Sequence, residues 1–328
     1  MSSRGKQYID SASLQVFPPP SLCQDVTQYI FFLKGRQSKL QALCDKFLNE
    51  PSGGAVDYRP RLPFVMLTFQ TVGRLTSGAE GFKDWGHTSE QEATFWVAVS
   101  DYKKHGPDEL CKKVELFVPY IYSDNPWAVA GGREIYGFPK QASTVLLPNS
   151  LRGAGAFEIH TLAYRTFSPD TQAQMARVLS VERADGGTFA RDELAVALGE
   201  ELLEKLGVLR DELGQLLDFN FEIGSRVIDF LFRPTLPMVF LKQLRGVGTT
   251  TGACYQAIVG AEADQIRLHS LRLLLRRFRL RLESLASQPL AETLGLELDS
   301  RGQMMIPGGL QVRFDFRLNE GHLIWSGS

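Results

Sequence analysis

The chain has 328 residues, 44% of them apolar and 10% aromatic, enough to bury a large core in one big domain or two smaller ones. Its 36 lysines and arginines nearly balance 37 aspartates and glutamates, and a net charge of -1 supplies no field that gathers nucleic acid or an anionic membrane surface. Cys23, Cys44, Cys111 and Cys254 are scattered, without CxxC or zinc-finger spacing, and read as reduced thiols of a cytoplasmic protein.

In chain order, residues 1–24 form a polar lead that carries Pro18, Pro19 and Pro20 and lacks the apolar stretch a secretory signal needs. Residues 25–328 are expected to form a single domain. The run 29–33 suits a buried strand, and from Ser38 the positions Leu40, Leu43, Cys44, Phe47 and Leu48 recur at helical spacing until Pro51, Gly53 and Gly54 stop them. Strands are expected over 64–69, 94–99 and 114–122. The pattern then changes: 172–179 and 191–206, with Leu194, Leu198, Leu202 and Leu206 on one face, read as helices of an insertion over about 167–221.

Strands return at the end of the chain. Over 277–283, Phe278, Leu280 and Leu282 alternate with Arg277, Arg279, Arg281 and Glu283, the mark of a half-buried strand. Residues 311–316 alternate likewise, and Asn319, Glu320 and Gly321 predict a turn into 322–325, a terminal hairpin. Strands at both ends with helices between them argue for an α+β fold rather than a doubly wound parallel sheet. No apolar stretch is long enough to span a bilayer.

The chemistry concentrates in residues 125–141, NPWAVAGGREIYGFPKQ. Pro126, Gly131, Gly132, Gly137 and Pro139 restrict the backbone around Arg133, Glu134 and Lys140, more than a simple connecting loop requires. Tyr136, Phe138 and Pro139 enclose Lys140, and an ammonium in apolar surroundings gives up its proton more readily, leaving a nucleophilic amine. The plain alternative is a solvated lysine after a turn.

Gly132, Arg133 and Glu134, followed by Gly137, Phe138, Pro139 and Lys140, resemble the signature of the acetoacetate decarboxylase-like superfamily, with the Schiff-base lysine falling on Lys140. Segments 237–245 (PMVFLKQLR), 253–259 (ACYQAIV) and 286–296 (ASQPLAETLGL) extend the likeness over most of the chain. The resemblance implies a bent antiparallel sheet or cone-like barrel with flanking helices, and a homo-oligomer. It implies a lyase that acts on a small keto acid through an imine on Lys140, with no cofactor, metal, nucleic acid or membrane partner. Decarboxylation of a β-keto acid is the first expectation. Aldol condensation and dehydration of a keto acid with an aldehyde is the second, and a binding protein for a carbonyl or apolar ligand is the reading from another class.

The same resemblance places a pocket glutamate on the strand before the signature, which selects Glu92, with Glu90 two residues earlier on the same face. Arg133 and Glu134 are either substrate contacts or an ion pair that fixes the lysine loop. Tyr136, Gln141, Tyr255 and Gln256 are further substrate-binding candidates: Tyr136 belongs to the lysine's enclosure, and Tyr255, on the ACYQAIV strand with Gln256, either donates to an aldol oxygen or packs in the core. Two departures stand out. Gln141 replaces a second lysine, so desolvation alone has to lower the Lys140 pKa. Thr27 occupies the place of an arginine that holds the substrate carboxylate in that family, and threonine cannot form the bidentate pair. The glycines of GVGTTTG (246–252) read as a turn, and His87, His105, His160, His269 and His322 form no metal-binding pair.

Overall fold

The computed structural model describes residues 7–13, 16–103, 114–149, 155–184, 195–197, 233–274 and 276–327. In chain order the elements are β1 (Ser21–Lys34), α1 (Gln37–Cys44), β2 (Tyr58–Pro60), β3 (Phe64–Ser77), β4 (Thr88–Asp101) and β5 (Glu115–Ser123). Then follow α2 (Pro126–Gly131), β6 (Lys140–Leu146), β7 (Ala156–Ala163), β8 (Gln174–Arg183), β9 (Ala195–Ala197), β10 (Thr235–Arg245) and β11 (Ala253–Leu274). The chain closes with β12 (Phe278–Leu282), α3 (Leu290–Leu294), β13 (Gln303–Ile306), β14 (Gly309–Leu318) and β15 (His322–Ser326).

Strands pair in the order β5-β10-β11-β14-β1-β3-β4, and β4 pairs back onto β5, which closes a ring. All contacts around it are antiparallel except the short β5–β10 pairing. From β5 the sheet continues outward through β6, β7, β8, β12 and β13 as a second layer. The fold is thus α+β, built on a strongly bent, mainly antiparallel sheet, with few and short helices among the described residues. Among the described residues no helix is long and apolar enough to cross a membrane.

The two-layer arrangement explains the near-continuous apolar runs in β1 and β3, because both faces of the ring sheet are covered. Ile30, Phe32 and Met66 point to the interior of the ring, with Leu116, Phe240 and Val312 opposite. Their alternating neighbours Phe31, Leu33, Leu67 and Phe69 point outward and pack on Phe157, Ile159, Leu179 and Leu280 of the second layer. Phe157 is the hub of this contact, with ring centroids 4.9 Å from Tyr29, 5.3 Å from Phe31 and 5.0 Å from Phe69. The helix expected from Ser38 forms as α1 and continues as a π-helical turn over Asp45–Asn49, burying Leu40, Leu43, Cys44 and Leu48.

Two expectations are corrected. Residues 172–179 are not helical: 174–183 form β8, between β7 on one side and β12 on the other. Val178, Leu179, Ser180 and Val181 are buried in succession, so spacing gave no period and two flanking strands decided the conformation. Of the expected helix over 191–206, only 195–197 are described, and they are a strand on β11; residues 185–194 and 198–221 of that insertion lie outside the described residues. The terminal hairpin is also absent. β14 already has β1 on one edge and β11 on the other, so β15 cannot fold back on it. Instead β15 runs on past a kink at 319–321 and pairs with the earlier part of the long β11.

Candidate active site

The lysine loop begins at Asn125, whose side chain accepts hydrogen bonds from the backbone N–H groups of Trp127 and Ala128, with Pro126 in the first helical turn. The short α2 runs into a π-helical turn over Gly132–Tyr136, and Gly137, at φ 81°, ends it in the left-handed conformation. A Cβ on Gly137 would lie 2.5 Å from Lys242 Cα, so glycine is needed for both space and backbone angle. A Cβ on Gly132 would lie 3.1 Å from Lys140 Cδ, which shows how closely the loop embraces the lysine stem.

Lys140 is the first residue of β6 and pairs in register with Ile121 of β5. Strand alternation sends its side chain into the ring and that of Gln141 out the other way, where Gln141 Oε1 accepts from Gln288 Nε2 at 2.8 Å. Lys140 is only 6% exposed. Its Nζ donates to Glu90 Oε1 at 2.5 Å and lies 2.7 Å from Glu92 Oε2. Both glutamates come from the inward face of β4 and are buried.

Ser123 Oγ donates to the same Glu90 oxygen at 2.7 Å. Glu92 Oε1 accepts from Thr94 Oγ1 at 2.9 Å and from Gln70 Nε2 at 3.1 Å, and Gln28 Nε2 donates in turn to Gln70 Oε1 at 3.0 Å. Gln28, Gln70, Glu92 and Ser123 are direct cross-strand partners on β1, β3, β4 and β5. They form one polar row across the interior wall.

This geometry revises the electrostatic expectation. Burial pulls the Lys140 pKa down, but the charges and hydrogen bonds of Glu90 and Glu92 together outweigh it and hold the amine above the ordinary lysine range. Burial pushes the Glu90 carboxyl up; the Lys140 charge opposes this, Glu92 adds to it, and the balance stands at about 7. The resting amine is therefore an ammonium, with a carboxyl in contact that titrates near neutrality and can take its proton. Desolvation alone does not set the amine's charge.

The interior of the ring holds a partly open cavity of 210 Å³ lined in part by Glu90, Glu92 and Lys140. Tyr136 lines it, donates to the Asn319 carbonyl at 2.9 Å and stacks on Phe138 with centroids 4.8 Å apart. The other candidates lie outside the lining. Arg133 Nη1 donates to the Lys140 carbonyl at 3.1 Å and so fixes the lysine's backbone. Glu134 is hydrogen-bonded to the Tyr8 hydroxyl of the N-terminal lead. Tyr255 has the Lys242 ammonium 5.6 Å from its ring centroid, and Gln256 donates to Gln243 at 3.1 Å. At the substrate-arginine position, Gln28 rather than Thr27 borders the cavity, and neither supplies a cation.

Sequence reading missed Gln28, Gln70, Ser123 and Cys23, all of which border the cavity or bond to its carboxylates. The available signal was a glutamine at the edge of an apolar run, Gln28 before the run 29–33 and Gln70 after the run 64–69.

No curated protein sequence matches the chain. Among solved structures, the chain is similar to acetoacetate decarboxylase from Legionella pneumophila, with TM-score 0.60 and 14% identity over 99% of this chain and 93% of that one. It is also similar to an acetoacetate decarboxylase-like enzyme from Sphingomonas wittichii RW1, with TM-score 0.57 and 13% identity over 98% and 100% of the two chains. A third likeness is to the enduracididine biosynthesis enzyme MppR, complexed with the condensation product of pyruvate and imidazole 4-carboxaldehyde, with TM-score 0.51 and 12% identity over 95% and 92%. At such identities the likeness is one of fold. The family model for acetoacetate decarboxylase (ADC) matches residues 17–182, half of the sequence, and with a bent sheet closed around a buried lysine the chain belongs to the acetoacetate decarboxylase family.

Proposed function

We propose that the protein is a Schiff-base lyase that decarboxylates a β-keto acid through an imine on Lys140. The observation that carries this reading is the buried Lys140 amine in contact with two carboxyl groups inside the cavity of the ring. Glu90 takes the ammonium proton, and the freed amine adds to the keto carbon. Loss of the carbonyl oxygen as water gives an iminium. The electron pair of the bond to the carboxylate then flows into the iminium, carbon dioxide leaves and an enamine remains. A proton returned by Glu90 or Glu92 to the α-carbon regenerates an iminium, which water hydrolyses to a ketone and the free lysine. Arg133, bonded to the lysine's own carbonyl, is a positioning residue, and Gln70 and Thr94 hold Glu92 in place.

Aldol condensation and dehydration of a keto acid with an aldehyde is the second reading. It is favoured by the presence of two carboxyl groups at Lys140, one more than protonation of an enamine requires, so that one could abstract a proton while the other protonates a departing hydroxyl. Product analysis separates the two. Decarboxylation predicts carbon dioxide and the ketone in equal amounts from a β-keto acid alone; a coupled, dehydrated product formed only with added aldehyde would support the second and overturn the first.

A further inference from the structure

The cavity walls set what can be bound beyond the reacting carbonyl. Ile30, Met66, Trp96, Leu116, Phe240 and Phe314 come from β1, β3, β4, β5, β10 and β14, so apolar side chains face the interior from almost every strand of the ring. The polar atoms available there are largely spent: Trp96 Nε1 donates to Thr68 Oγ1 at 2.9 Å, and Gln70 bridges Gln28 and Glu92. Among the described residues no arginine or histidine borders the cavity, and Lys140 is its sole lysine.

Charge counting follows. Two carboxylates already face one ammonium, and a substrate carboxylate would enter as a third negative group with no guanidinium to receive it. A small keto acid would thus gain little from its carboxylate and nothing from a tail it lacks. The free energy that holds a β-keto acid here has to come from elsewhere in the molecule, and burial of an apolar group in these walls is the source the cavity offers. Its 210 Å³ exceeds the ~150 Å³ of an apolar cavity that takes up benzene. Holding the carboxylate in such surroundings also favours its loss, since departure as carbon dioxide removes the unpaired charge.

We infer that the substrate is a β-keto acid whose acyl group is a chain of about six or more carbons or an aromatic ring, lodged among the cavity's apolar residues, rather than acetoacetate or another short keto acid. This rests on the imine reading of Lys140 and specifies the substrate of that site.

The test is a homologous series: acetoacetate, β-ketohexanoate, β-keto-octanoate and benzoylacetate, each assayed for carbon dioxide release, with borohydride trapping of Lys140 in parallel. kcat/KM is expected to rise about fourfold for each methylene buried, the equivalent of ~0.8 kcal/mol, until the cavity is filled. Met238→Trp, which places more bulk in the lining, should shift the optimum towards shorter chains. A flat or falling series, with Lys140 still trapped by acetoacetate, would overturn the substrate class and leave the imine reading standing. Absence of a trapped adduct with every member would overturn both.

Discussion

The arrangement of Lys140 between Glu90 and Glu92 makes each of these residues depend on the others. The lysine offsets the repulsion of two buried carboxylates, so Lys140→Ala should abolish turnover and also destabilise the protein at neutral pH by about 3–5 kcal/mol. The sign of its pH dependence is fixed. Buried carboxyls without a cation titrate higher in the folded than in the unfolded chain, so the penalty shrinks as acidification protonates them, and chemical denaturation of the variant across that range checks it. Wild-type Lys140 is held above its ordinary range by its neighbours, so the neutral amine, and with it the rate of imine formation, increases as pH rises. Glu92→Gln removes one of the attractions that retain the proton and should move that increase to lower pH, read from the rate of borohydride trapping against pH. A purely structural Glu92 would lower stability without displacing the profile. That Lys140 and the two glutamates meet was legible in the sequence through the family resemblance, which marked Lys140 by its motif and Glu92 by its strand, with strand periodicity adding Glu90. The raised pKa was not, because it depends on contacts between residues 50 positions apart.

At the scale of elements, the segment from Asn125 to Lys140 is a mount for one side chain. Its Asn-Pro start, π-helical turn and left-handed Gly137 aim β6 so that Lys140 faces inward beside Ile121. Gly137→Ala is expected to cost about 1–3 kcal/mol from backbone angle alone, with more from the contact to Lys242, and to reduce trapping by displacing the lysine. Gly132→Ala, meeting only side-chain atoms of Lys140 and Phe138, should lower kcat with a smaller loss of stability. Thermal denaturation together with adduct yield distinguishes the two effects. The glycines and prolines of this loop announced a constrained backbone in the sequence, whereas β8 did not announce itself. Its 174–183 stretch holds four consecutive buried residues, and its conformation comes from the β7 and β12 edges that it joins, which local spacing does not encode.

For the whole molecule, ring closure between β4 and β5 brings the polar row of Gln28, Gln70, Glu92 and Ser123 against Lys140 and keeps the surrounding wall apolar. The second layer supports that wall from outside through Phe157. Phe157→Ala should destabilise the protein by about 3–5 kcal/mol, measurable as a lower denaturant midpoint, because Tyr29, Phe31 and Phe69 all lose a packed partner. The α+β class followed from strand-rich ends, but the closure of the ring did not, since it joins residues far apart in sequence. The path of β15 was hidden for a related reason: which edges of β14 are free depends on partner residues 35 to 55 positions away on β11 and 278 to 297 away on β1.

The central claim is that the Lys140 amine forms an imine, and reduction with borohydride tests it most directly. Incubation with a β-keto acid, reduction, intact-mass measurement and peptide mapping should give one adduct per chain, located on Lys140 and lost in Lys140→Arg. An unmodified chain with every carbonyl compound offered, or an adduct on another lysine that persists in Lys140→Arg, would contradict the claim and leave the closed ring as a binding fold.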